Sequence, residues 1–385
     1  MAGEVAVREP WFKKIDWLMM LTVFVLVAFG LIMLYSASSY NSQLTFGSSS
    51  TYVTKQIKST AVGLIGLLAA AIIPYRLWKK PVTWVIYALT LLSVCGVMIP
   101  SISLSANGAR RWIQIGGISF QPAELVKVGV IMMTALLVYM FRNLLGDIRF
   151  YLIVLAFIGL PAALIAIMTD DLGSTVIVFA IGFVMLAVMC PNRWFVIGTI
   201  AALIGAVVVL IAIKPYRLER VLAWIHLEEY ADDEGFQIMQ ALYAIGSGGF
   251  LGKGLGKSTQ KLGFVPESEN DMIFSIICEE NGVIVAIALL GLFAILLWRL
   301  WKLYSGTEDL FGKLLTVGVM THIGVQTFVN VAVVTSLIPN TGVPLPFISY
   351  GGSSIIMILV EIGLVISVSQ GERKKKKDVI KYTAE

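Results

Sequence analysis

The stretch Phe264-Val265-Pro266-Glu267-Ser268-Glu269-Asn270-Asp271-Met272-Ile273-Phe274 decides how the whole chain is read. Before it, residues 214–271 break a series of long apolar runs and carry Arg217, Arg220, His226 and a Gly-rich stretch over 247–256. After it, apolar sequence continues to about residue 298. About 20 mostly apolar residues suffice to cross the hydrocarbon core of a bilayer. Asp271 therefore sits at the polar mouth of a membrane helix, where an ionisable residue marks a functional-site hypothesis. Aspartate at a helix start also serves as an N-cap for free backbone N–H groups, and the residues alone leave capping and chemistry both open.

Working outward, the 385 residues are 58% hydrophobic and only 14% charged, against roughly 25% charged in soluble domains. The fold expected is all-α, a polytopic membrane protein with about ten transmembrane helices. The spans fall near 15–37, 57–73, 82–100, 123–141, 150–168, 174–190, 195–213, 272–298, 314–337 and 353–370. A large extracellular loop, about 214–271, joins helices 7 and 8, and a basic cytoplasmic tail covers about 371–385. The whole of 1–385 reads as one membrane domain.

Orientation follows from the cations. With the N-terminus in the cytoplasm, eighteen of the 29 Lys and Arg residues fall in inside segments and ten outside, most of these in the one long loop; Lys127 lies within a span. Short loops rich in Lys and Arg stay inside, so both termini are cytoplasmic and Asp271 faces outward. The net charge of +5 reflects this topology and a juxtamembrane run at 373–377 that suits anionic lipid; nucleic acid is not an expected partner. Cys95, Cys190 and Cys278 lie in or beside apolar segments and match neither a disulfide framework nor a metal knuckle.

Four outward polar segments line up by alternation on one side: Asn107 to Lys127, Asp170 to Ser174, the loop ending at Asp271, and Pro339 to Ser354. Arg110 and Arg111 beside Trp112 suit an anionic group, because guanidinium forks match phosphate oxygens; interfacial arginines also snorkel to headgroups. Glu124 and Lys127, three residues apart in a span, share a helix face and read as an ion pair around a cavity. Glu267 and Glu269 read as wet loop acids or site neighbours, and Glu279 and Glu280 as pairing or capping groups in the bundle. The Gly-rich run lacks the preceding strand of a phosphate-binding loop and reads as tight turns. His226 and His322 are isolated, and no Gly-x-Ser-x-Gly elbow is present.

Taken in order, Asn107–Trp112, Gln121–Lys127, Asp171-Leu172-Gly173, Ala244–Gly249, Pro266–Phe274, Glu279-Glu280 and Pro344–Ser353 resemble the SEDS family of membrane glycosyltransferases, which includes FtsW, RodA and SpoVE. The resemblance spans essentially the whole chain. Thr169-Asp170-Asp171 stands where the family commonly has Gln-Pro-Asp, and Ser268-Glu269-Asn270 where Ala-His-Thr is frequent. The compact Gln260-Lys261-Leu262 before the Phe-Val-Pro-Glu segment looks more like the division-type FtsW branch than the elongation-type RodA branch.

The resemblance implies a peptidoglycan glycosyltransferase that polymerises lipid II, an undecaprenyl-pyrophosphate-linked disaccharide-pentapeptide, in the bacterial cytoplasmic membrane. It maps the family's extracellular-loop aspartate, the candidate catalytic residue, to Asp271, its Gly-Ala-x-x-Trp tryptophan to Trp112 and its intramembrane pair to Glu124 and Lys127; the candidate substrate contacts are Arg110, Arg111, Trp112, Glu267 and Ser349. A carboxylate that takes the proton of an attacking sugar hydroxyl contributes roughly 10²–10⁴-fold, and one base with single displacement implies inversion. The leaving pyrophosphate needs positive charge, from an arginine or a divalent cation such as Mg2+ or Mn2+; no other cofactor is implied, and the metal ligands stay unassigned. A class B penicillin-binding protein transpeptidase and other divisome proteins are the partners implied. A lipid II flippase, dependent on Glu124 and Lys127 rather than Asp271, is the main rival reading, and a non-enzymatic scaffold the second.

Overall fold

Each apolar run becomes a helix whose start is set by its own sequence. In the computed structural model, which describes residues 16–79, 81–106, 109–115, 118–230, 233 and 235–383, helices α1 (Trp17–Phe46), α5 (Ile148–Met168), α6 (Leu172–Met189), α7 (Arg193–Ala212) and α11 (Leu310–Val334) begin after Asp16, Asp147, Asp171, Asn192 and Asp309. Each of these five side chains accepts a hydrogen bond from a backbone N–H of the first turn, the N-cap preference of short polar residues. Helix α4 (Pro122–Phe141) starts instead with proline at its first position, where the missing N–H costs nothing. Helices α2 (Thr51–Ile72), α10 (Ile273–Gly306) and α12 (Gly352–Thr383) complete the long set.

Among the described residues, nine helices are long and apolar enough to cross a membrane. The tenth expected span is the shorter α3 (Val82–Gly96), of 15 residues. It stops early because Pro100 disfavours helical geometry in the residue before it; Val97, Met98 and Ile99 close with tight bonds to Val94, Cys95 and Gly96.

Two parts of the expected outer loops are ordered. Three short segments form an antiparallel sheet, β1 (Ser103–Ala106), β2 (Ala109–Ile115) and β3 (Ile118–Phe120), in the order β1-β2-β3. This is an addition to the all-α expectation, carried by the β-branched and aromatic residues Trp112, Ile113 and Ile115. Leu104 pairs with Trp112, and Ile113 with both Ser103 and Phe120. The Asn107-Gly108 and Gly116-Gly117 motif positions lie outside the described residues, as do the N-terminal cations Arg8, Lys13 and Lys14 and the side chains of the basic tail. Among the described residues of 214–271 lie the helices α8 (Pro215–Ile225) and α9 (Phe236–Gly248).

α4 is the innermost helix, buried along most of its length from Pro122 to Val138, against α3, α5, α6, α11 and α12. α7 lies at the outside, with Thr199 its one buried residue. Hydrogen bonds join the four polar segments at one end of the bundle: Arg111 to Thr169 and Asp170, Asp170 to Lys214, Gln121 to Ser353, and Tyr350 to Glu269. At the other end, Lys79 pairs with Asp309 at 2.7 Å and Arg299 with Asp16 at 2.5 Å.

α10 is broken at Gly282, whose φ of 77° and ψ of 172° belong to a backbone region open essentially to glycine alone. The loop after α9 fills the break. Val283 and Ile284 donate their N–H groups to Gly249 and Phe250, while the Glu279 and Glu280 carbonyls accept from Lys253 and Gly254 at 2.9 and 2.8 Å. Four backbone groups that an unbroken helix would pair internally are thus paired with the loop, as buried polar groups must be. The Gly-rich run is the part of that loop that reaches the helix backbone: a Cβ on Gly248 would collide with the Cys278 carbonyl.

Candidate active site

The turn before α10 carries Asp271, and three of its successive carbonyls are fastened from elsewhere. Tyr350 N–H donates to Glu269 O at 2.9 Å, Ser349 Oγ donates to Asn270 O at 2.6 Å, and Asn330 Nδ2 donates to Asp271 O at 2.7 Å. Glu269 is buried, its Oε2 accepting from Asn41 of α1 at 2.9 Å and from Ser268 Oγ at 3.1 Å. Glu267 stands more exposed at φ +54° and accepts from the Asn270 side chain. Local residue choice explains the tight turn: the Glu267 carbonyl takes N–H bonds from both Asn270 and Met272.

The Asp271 side chain is not the cap of α10. Met272 occupies the cap position, and Asp271 Oδ1 is buried with no hydrogen-bond partner. With Asp271 only 7% exposed, burial pushes its carboxyl up to about 7, and the Glu267 carboxylate adds to the push. Its own N–H and the Arg220 guanidinium pull in the opposite direction, and Glu269 raises it slightly further. A carboxyl poised near neutrality in a dry site suits a general base.

Arg110 is exposed on β2. Arg111 donates Nε to Thr169 O at 3.3 Å and Nη2 to Asp170 O at 3.0 Å, so it clamps the sheet onto the α5–α6 turn. Asp170 there sits at φ +53° and binds Lys214 at 2.6 Å and Arg217. Burial works to raise the Asp170 carboxyl, but these two cations together hold it below the usual carboxylate range. Trp112 is half-buried in β2. Ser349, besides donating to Asn270, accepts from Leu345 N–H at 2.8 Å; its hydroxyl braces the Asp271 turn against the Pro344–Ser353 segment.

Glu124 and Lys127 pair at 2.7 Å and are buried to 2% and 1% exposure. Lys127 Nζ also donates to Gln326 Oε1 of α11 at 2.8 Å. Glu279 and Glu280 gather the long loop onto α10. Glu279 binds Lys253 at 2.7 Å, Ser258 and Thr259; Glu280 binds Lys261 and Ser36, each at 2.7 Å.

Several residues that act on this site carried no motif. Arg220 of α8 is the cation whose charge acts on Asp271. Gln326 and Asn330 are single polar residues in an apolar helix, and their only sequence signal is spacing by one helical turn.

A family model described as "Cell cycle protein", FTSW_RODA_SPOVE, matches residues 16–374. The chain belongs to the FtsW/RodA/SpoVE (SEDS) family. It is 33% identical over 370 residues to a "Probable peptidoglycan glycosyltransferase FtsW" of Trichlorobacter lovleyi, covering 94% of this chain and 96% of that one. It is 34% identical over 362 residues to the "Stage V sporulation protein E" of Bacillus subtilis, covering 93% and 98%. A solved structure described as "Structural coordination of polymerization and crosslinking by a peptidoglycan synthase complex" matches with a TM-score of 0.77 at 28% identity, covering 93% of this chain and 98% of that one. The expectation drawn from seven short SEDS segments therefore stands at the level of family and of a multi-pass membrane fold.

For the divalent cation implied by the sequence, the donor set is thin. Among the described residues no three His, Cys, Asp or Glu side chains converge to hold a metal. Magnesium is often held by one or two carboxylates together with substrate phosphates, and Asp271 with Glu267 supplies that much and no more.

Proposed function

We propose that this chain is a peptidoglycan glycosyltransferase that polymerises lipid II on the outer face of the bacterial cytoplasmic membrane, with Asp271 as general base. Both termini are then cytoplasmic, as the distribution of Lys and Arg supports. The observation that carries the reading is the Asp271 carboxyl itself: buried, raised to about 7, with an unpartnered Oδ1 and a backbone fastened at three carbonyls. The acceptor sugar hydroxyl is a weak nucleophile at neutral pH. A fixed carboxylate within about 3 Å takes its proton as the oxygen attacks the anomeric carbon. The carbon–oxygen bond to pyrophosphate breaks on the opposite side, so the anomeric centre inverts. Arg110, Arg220 and Trp112 are proposed to hold the donor and its pyrophosphate. The lipid tail of such a substrate requires the site to open sideways to the bilayer.

Septal synthesis is the proposed setting, supported by the FtsW name among the relatives and by the FtsW-like Gln260-Lys261-Leu262 segment. A class B penicillin-binding protein within the divisome is the proposed partner, supported by the likeness to a chain from a polymerising and crosslinking complex. Polymerisation of lipid II by the purified full chain, wild type against Asp271→Asn, tests the reading. Polymer from wild type and none from a folded Asp271→Asn supports it. Lipid movement across vesicles without polymer from either protein moves the reading to a flippase.

A further inference from the structure

His322, Gln326 and Asn330 of α11 lie one turn apart, on one stripe, and all are buried to 1% exposure or less. Polar groups at such depth are costly unless hydrogen-bonded, and this stripe spends its bonds on two loop segments at the site. Asn330 Nδ2 donates to Asp271 O at 2.7 Å and to Val343 O at 2.8 Å. Carbonyl oxygens only accept, so the amide orientation is fixed by its partners. One turn away, Gln326 Nε2 donates to Pro344 O at 3.0 Å. The Gln326 Oε1 accepts from Lys127 Nζ and from His322 Nε2, both at 2.8 Å. His322 Nδ1 meets Glu361 Oε2 at 2.7 Å and Lys127 meets Glu124 at 2.7 Å.

We propose that Asn330 is a positioning residue for Asp271, strapping the acid-bearing turn to the Val343-Pro344 backbone, with Gln326 as the second rung of the same ladder. The proposal rests on the reading of Asp271 as the base. Gln326 is itself held from two sides, by the Glu124–Lys127 pair and by the His322–Glu361 pair. The intramembrane ion pair thus reaches the acid turn through two amides on one helix. The strap does two things. It sets where the carboxylate stands, and a misplacement of about 1 Å costs about 10²-fold in rate. It also closes the seam between the two segments, which keeps the carboxyl dry. The charged groups facing Asp271 are Glu267 and Glu269 on its own turn and Arg220 from α8; none belongs to the ladder.

The test compares wild type, Asn330→Leu and Thr327→Val in the full chain, reading lipid II polymerisation against pH and hydrogen exchange of residues 267–275. Leucine has the branching of asparagine without its donor and brings no titrating group, and Thr327 has a buried hydroxyl without a partner. Asn330→Leu is expected to lower kcat by roughly 10²-fold with KM little changed, to move the acid limb of the profile below its wild-type position, and to raise exchange. Thr327→Val is expected to match wild type. An acid limb unmoved in Asn330→Leu, or exchange at the wild-type level, overturns the proposal. Full activity in Asp271→Asn overturns the reading of the base instead, and the exchange measurement then still decides whether the strap exists.

Discussion

Ser349 Oγ donates a 2.6 Å hydrogen bond to the carbonyl of Asn270, the residue that precedes Asp271. The same oxygen accepts from Leu345 N–H at 2.8 Å, so both capacities of the hydroxyl are spent inside the protein. Ser349→Ala leaves a part-buried carbonyl and a buried N–H without this partner, which costs about 1–3 kcal/mol. The expected result is a lower Tm and a fall in kcat with KM little changed. A rise in KM at unchanged kcat would make Ser349 a substrate contact, as its sequence context suggests.

The Glu124–Lys127 pair is buried on both sides. Removing one partner of such a pair leaves an uncompensated charge and costs about 3–5 kcal/mol, whereas replacing both is far milder. Lys127→Met is therefore expected to reduce folded yield and thermal stability sharply, and Glu124→Gln combined with Lys127→Met to recover much of that loss. Equal instability of the single and double variants would show that the pair is not the source.

The two arginines before Trp112 separate on geometry. Arg111 is spent on the Thr169 and Asp170 carbonyls, while Arg110 is exposed. Arg111→Ala is expected to lower stability by about 1–3 kcal/mol, and Arg110→Ala to leave Tm unchanged and raise KM for lipid II. The reverse pattern would exchange their roles.

Gly282→Ala is expected to cost about 1–3 kcal/mol, because its φ and ψ suit essentially glycine alone. The loop that enters the α10 break would loosen with it. Limited proteolysis within 249–261 should therefore speed up in the variant; unchanged cleavage would argue against the loop being seated in the helix break.

The helices were legible from the chain alone because a bilayer demands long apolar runs, and the capping residues Asp16, Asp147, Asp171, Asn192 and Asp309 stand at their starts. Asp271 was legible as an acid where the long polar loop over 214–271 meets an apolar span. The three-stranded sheet was not, because its strands are only four, seven and three residues long. The role of residues 249–254 was hidden because backbone pairing across a helix break leaves no side-chain pattern. Asn330 and Gln326 were hidden because each donates its amide to main-chain carbonyls of other segments, and Arg220 because its effect on Asp271 depends on where α8 is placed.

Titration of the Asp271 carboxyl gives the central measurement. Its folded value of about 7 exceeds the ordinary 3.8, so the native state holds this proton more tightly than the unfolded chain. The corresponding stability is present at low pH and lost as pH rises toward about 7, on the order of 4 kcal/mol at most. Asp271→Asn, which cannot ionise, should therefore be more stable than wild type above about pH 7 and similar at about pH 4. Catalysis runs the other way, because the base must be unprotonated. The most direct test is lipid II polymerisation by wild type and Asp271→Asn from about pH 5 to about pH 9. A wild-type rate that climbs through about pH 7, with no polymer from a folded and more stable Asp271→Asn, is the expected result. Comparable polymer from both proteins, with the same pH profile, would contradict a catalytic role for Asp271.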